Sequence, residues 1–156
     1  MAAGTFKWFA QGLDDLGNGV HNFGTAVLKM GIVTSGTVPA VNTTAPCWGS
    51  GGSTNFSTTQ VATTGTSYTG PKTCSSPTWT LTATGAALDY ADTNFAMAQD
   101  ASGFTNGAYG IVYNDSAANK QAIGYVEISS AGTASLVAGA INITLNASGA
   151  LGLVQS

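Results

Sequence analysis

Few residues in this chain have the types and spacing that chemistry requires. His21 is the single histidine and stands in Gly19-Val20-His21-Asn22-Phe23. A general base needs a partner to position it. The sequence supplies no Gly-x-Ser-x-Gly elbow, no Cys-His signature and no His-Glu-x-x-His run. His21 therefore reads as a helix-end side chain that satisfies backbone carbonyls. Asp89, Asp92 and Asp100 invite comparison with the paired carboxylates of glycosidases or with a weak calcium site, but their spacing fits solvated turn acids better. Gly49-Ser50-Gly51-Gly52-Ser53 lacks the Lys-Ser/Thr ending of a phosphate-binding loop and reads as a flexible loop. Sequons at Asn42, Asn55, Asn114, Asn142 and Asn146 arise by chance in a chain so rich in Ser and Thr. No catalytic residue, cofactor or metal site is expected, and the chain does not read as an enzyme.

Cys47 and Cys74 have loop-like flanks, Pro46-Cys47-Trp48-Gly49 and Lys72-Thr73-Cys74-Ser75, and no second pair to complete a zinc pattern. Bridged, they would close a loop worth roughly 3 to 4 kcal/mol in the chain-entropy model. Made in a reducing compartment, they would stay as two free thiols, and both states remain open. Trp48, in its Gly-rich loop, is the aromatic expected to touch a partner, together with Asn55 and Phe56. Aromatics that alternate within strands are expected in the core.

The elements that must carry these residues are mostly strands. Phe6, Phe9, Leu13, Leu16, Val20 and Phe23 are spaced three and four apart, which predicts an amphipathic helix over 5–23 with that stripe as its core face. Thr5 is expected to cap it, and Asp14 and Asp15 to lie on its outer side. Residues 25–34 (TAVLKMGIVT) predict a first strand, and 35–77 a long loop-rich segment with a short strand over Gln60 to Thr63. Thr78 to Thr84 alternates with period two, and further strands are expected over 94–98, 108–113, 122–129, 134–137, 140–146 and 151–154. The polar run Asn114 to Gln121 predicts a hairpin. The expected fold is a mainly β single domain over 1–156. It would be an antiparallel sandwich or barrel with one N-terminal helix and a β-rich core over 78–154.

Composition sets the surface. Of 156 residues only 7% are charged and 44% are hydrophobic, against about 25% charged in ordinary soluble domains. Four lysines, no arginine and seven carboxylates give a net charge of −3, the wrong sign for a phosphate-binding surface, so nucleic acid is not an expected partner. No apolar run approaches the roughly 18 to 20 residues that span a bilayer, so no membrane is expected. Met1 to Phe9 lacks the pattern of an export signal. So weakly charged a surface suits an assembled state.

Two groups of motifs carry a resemblance. One is Phe6-Lys7-Trp8-Phe9 through Gly17-Asn18-Gly19-Val20-His21-Asn22-Phe23-Gly24 to Leu28-Lys29-Met30. The other is Tyr109-Gly110-Ile111-Val112-Tyr113-Asn114-Asp115 with Ile123-Gly124-Tyr125. Together they resemble small virion structural proteins of tailed bacteriophages, over about half the chain. The chain departs from that pattern at Val126, where a second aromatic is usual, and in the Cys47 to Cys74 region. The resemblance implies a decoration (cement) protein made in the host cytoplasm and bound to the outer capsid surface, with the major capsid protein as partner and a homotrimer at local threefold points. The alternative that the same resemblance permits is a place in the tail, neck or a fibre. From the residues alone, a carbohydrate-binding sandwich is the other alternative.

Overall fold

The computed structural model of the chain describes residues 5–74, 78–82, 85–89, 95–129, 132–143 and 151–154. Its elements in chain order are β1 (Lys7–Trp8), α1 (Ala10–Gly17), β2 (Leu28–Val33), β3 (Pro46–Cys47), β4 (Thr54–Asn55), a 3-10 turn (Phe56–Thr59), β5 (Lys72–Thr73), β6 (Thr78–Thr82), β7 (Gly85–Asp89), β8 (Ala96–Met97), β9 (Tyr109–Asn114), β10 (Ala122–Glu127), β11 (Ile141–Asn142) and β12 (Leu151–Val154). The protein is mainly strands, with a single helix among the described residues. An antiparallel five-stranded sheet runs in the order β1-β10-β9-β2-β5. Beside it are a three-stranded sheet β12-β7-β6, a pair β11-β8 and a parallel pair β3-β4.

The β9–β10 hairpin forms as the polar Asn114 to Gln121 run predicts, with Tyr125 opposite Ile111 and Val126 opposite Gly110. Period-two alternation then assigns each residue to a face. Met30, Ile32, Val112 and Val126 face a cluster completed by Phe95, Met97, Phe104, Leu136, Ile141 and Ile143. Val33, Ile111, Tyr113 and Tyr125 face the opposite way, under Phe9, Trp48 and Phe56. Both faces of the sheet are therefore covered, which is why β2 and β9 read as nearly continuous apolar runs. A register shift between Ala122 and Gly124 leaves Ile123 as the extra residue of a bulge. That shift sends Ile123 to the first cluster although Tyr125 belongs to the second.

The N-terminal helix is shorter than its periodicity predicts. Lys7 and Trp8 pair with Tyr125 and Gly124 as an edge strand, so the helix begins only at Ala10. Phe9, not Thr5, is its N-cap, and it makes no side-chain capping bond. Gly19 turns the chain out of the helix at φ +75°. The stripe consequently spans three kinds of structure. Phe9 and Phe23 are buried and Phe6 and Leu16 partly buried, while Leu13 is 43% exposed. The buried helical residues are Gly12 and Asp15 instead. Gly12 brings the helix into backbone contact with β10: a Cβ there would lie 2.5 Å from the Ile123 carbonyl oxygen. That approach turns Asp15 inward and Leu13 outward.

Other boundaries also move. The first strand spans Leu28–Val33 within the expected 25–34. Gln60 makes one isolated bridge with Val33 where a strand is predicted. Ala134 likewise only bridges Gly107, and the chain turns at 136–138 instead of extending to Val137. β7, unpredicted because Gly and Ala give weak strand signals, is held between β6 and β12. Tyr90, Asp92, Asn94 and Asn146 lie outside the described residues.

Candidate functional site

The loop expected to meet a partner is folded inward. Trp48 is only 7% exposed, and its ring lies parallel to Tyr113 at 5.2 Å. Gly31 in β2 makes this possible, since a Cβ at that position would come within 2.1 Å of the indole. The Trp48 N–H donates to the Lys120 carbonyl at 2.9 Å, which pins the loop to the β9–β10 turn. Phe56 is fully buried and stacked on Phe9 at 5.7 Å. The Asn55 side-chain oxygen accepts from Ser57 N, Ser57 Oγ and Gly49 N, so it caps the 3-10 turn and ties it to the loop. Trp48 and Phe56 are packed into the fold, and the half-buried Asn55 is engaged within its own loop. The physical reason is room: glycine at 31 lets a large ring settle where sequence shows only a Gly-rich loop.

The two cysteines are free and buried in different surroundings. The Cys47 thiol donates to the Gly49 carbonyl at 2.8 Å, and burial pushes its pKa up. Cys74 belongs to the first core cluster, and burial raises its thiol to about 12. A disulfide between them is not formed.

His21 is buried beside Phe23, with the two rings stacked at 5.9 Å. Its Nδ1 lies 3.4 Å from Asn114 Nδ2, an amide group that donates to the Val20 carbonyl. That places the acceptor nitrogen toward Asn114 and the ring proton on Nε2, which faces Asp15 Oδ2 at 4.0 Å. Burial lowers the His21 pKa, and the Asp15 carboxylate opposes that shift. The imidazole has no exposed surface on which a substrate could meet it.

Asp100 is a turn acid of a specific kind. Its Oδ2 accepts from Thr66 N, Thr66 Oγ1 and Ser67 N, and its Oδ1 from Ser102 N. These donors, led by the Ser67 amide, lower its pKa to about 2. Asp115 gathers two of the four lysines, Lys29 at 2.6 Å and Lys120 at 3.1 Å. Among the described residues no three His, Cys, Asp or Glu side chains converge as metal ligands, and no helix is long and apolar enough to cross a membrane.

The apolar side chains left outside are the ones sequence reasoning missed. Val38 is 63% and Val41 53% exposed, in the loop after β2. The Val41 carbonyl accepts from Ala10 N at 2.8 Å at the start of α1. Leu13 in α1 is 43% exposed and Val27, before β2, 45%. Comparison with known proteins adds no relative: no family model, curated protein or solved structure matches the chain.

Proposed function

We propose that this chain is a non-enzymatic virion structural protein, a decoration (cement) protein that binds the outer capsid lattice as a homotrimer and stabilises it. The observation that carries this reading is where the two resembling segments lie. Far apart in the chain, Phe6 to Met30 and Tyr109 to Tyr125 supply neighbouring strands β1, β10, β9 and β2 of one sheet. The motifs that carry the resemblance are thus the parts that build the central sheet. Both faces of that sheet are covered, and we infer from this a layered, sandwich-like domain. A protein that binds only the assembled lattice stabilises it by its own binding free energy. Closed symmetry suits a trimer to threefold points.

The contact face in this reading is the exposed apolar set Leu13, Val38 and Val41, which takes the place of Trp48 and Phe56. Cryo-electron microscopy of particles carrying the chain tests the placement. Regular density at symmetry-related sites on the outer shell is expected. Density confined to the tail or portal vertex would move the protein there, and glycan-array binding without particle binding would favour the carbohydrate reading. Replacing Val38 and Val41 together by Ser is expected to lower capsid occupancy at least tenfold in co-sedimentation with an unchanged melting temperature.

A further inference from the structure

Backbone strain in this fold gathers at one contact. Among the described residues two that are not glycine have a positive φ, Ala45 at +39° and Lys120 at +48°. Such a backbone is costly for a residue with a Cβ, so something has to hold it there. Ala45 opens the 45–52 loop, and Lys120 stands near the end of the 114–121 turn on which that loop lies. The Trp48 N–H donates to the Lys120 carbonyl at 2.9 Å, and Cys47 bridges Gln121. A Cβ at Gly51 would lie 2.6 Å from Asn119 Cβ, so no side chain separates loop from turn at that point. The loop therefore docks on residues 119–121, and its seat depends on the backbone of Lys120.

The side chain that reaches Lys120 is Asp115. Its backbone N–H donates to the Val27 carbonyl at 2.8 Å, and its Oδ2 pairs with Lys29 of β2 at 2.6 Å, so the carboxylate is fixed to the central sheet. Its Oδ1 faces Lys120 Nζ at 3.1 Å. Within the turn, Lys120 N donates to the Ala117 carbonyl and Asn114 N to the Gln121 carbonyl. Those amide bonds are indifferent to salt, whereas the ion pair is not. Its three side chains are 20–49% exposed, so dissolved ions reach and screen it.

We propose that Lys29, Asp115 and Lys120 form a salt-sensitive latch that keeps the 45–52 loop closed. Closed, the carboxylate holds Lys120 in its left-handed conformation, and the Lys120 carbonyl holds Trp48 against Tyr113. Open, Lys120 relaxes to a negative φ and its carbonyl leaves the Trp48 N–H. The groove of about 470 Å³ between 48–51 and 118–120 then widens. Opening uncovers Trp48 and the thiol of Cys47, which lines the neighbouring cleft with Gly51, Gly52 and Asn119. The Cys74 thiol, in the first core cluster, stays closed. The latch belongs to the chain alone and does not rest on the function proposed above.

Slow labelling of the native full chain with N-ethylmaleimide tests the latch. The two cysteines fall in separate tryptic peptides, 30–72 and 73–120, so mass spectrometry reads each, and Cys74 reports on general unfolding. Raising sodium chloride from about 0.05 M to about 1 M is expected to speed Cys47 labelling about threefold relative to Cys74. Asp115→Asn and Lys120→Ala should each speed it about fivefold at low salt and abolish the salt response. Lys120→Gly should keep the loop closed, because glycine takes a positive φ freely and needs no ion pair to hold it. Equal rates in Lys120→Gly and Lys120→Ala would overturn the latch, as would an unchanged rate in Asp115→Asn. So would a native chain indifferent to salt, a measurement that needs no variant to fold. Cys74 labelling that rises in step with Cys47 would mean general unfolding and refute a local opening.

Discussion

His21 shows how one buried side chain sets a pH limit. With Nδ1 accepting from Asn114, protonation would set donor against donor. Burial lowers its pKa from 6.5, so the unfolded chain takes up the proton before the folded one does. The stability it contributes is complete above pH 6.5 and is lost as pH falls below that value. A melting temperature that falls as pH drops below 6.5 is therefore expected, and the fall should be shallower in His21→Gln; parallel profiles would remove His21 as the cause. Asp100 acts in a lower window. Its stabilisation is complete above 3.8 and is lost as pH falls through about 2. Asp100→Asn should lower the melting temperature at pH 7 and remove that acid-side loss, read by circular dichroism. At Gly31, substitution by Ala forces the Trp48 ring away and is expected to cost about 1–3 kcal/mol in urea unfolding, with a red-shifted Trp emission. Unchanged emission would place the ring elsewhere.

At the scale of the element, the helix and the 42–57 segment depend on tertiary contact. Three glycines stand at 12, 17 and 19, and an eight-residue helix is too short to hold itself in water. It persists because Phe9 N donates to the Ile123 carbonyl at 3.1 Å and Gly12 sits against the same group. Gly12→Ala raises helix propensity yet should destabilise the protein by about 1–3 kcal/mol, because backbone cannot yield as a side-chain tip can. A stabilised Gly12→Ala protein would show that α1 sits further from β10. Removing 42–57 should abolish the fold along with any partner binding, since it takes away Trp48 and Phe56. Phe56→Ala alone is expected to cost about 3–5 kcal/mol. A cooperative, native-like melt of the deletion would contradict the burial of that segment.

Across the whole molecule, strands from both ends of the chain meet in one sheet, and the two thiols report on its integrity. Neither should react with a thiol reagent under native conditions, because both are buried and their pKa values are raised, and both should react after unfolding. Prompt native labelling of Cys74 would mean that the first core cluster opens. Local pattern made much of this architecture legible. Alternation marked β6, apolar runs marked β2 and β9, the polar run marked the β9–β10 hairpin, and Leu151 to Val154 marked β12, because apolar pattern and turn chemistry are properties of neighbours in sequence. Composition likewise set the charge and its sign. What tertiary structure alone decided was which side chains are inside. Periodicity could not show that β10 would claim Lys7 and Trp8, that Gly12 would turn Asp15 inward, or that Gly31 would leave space for Trp48. Each depends on a residue distant in sequence leaving room or offering a backbone partner, and such complementarity exists only once the chain has folded.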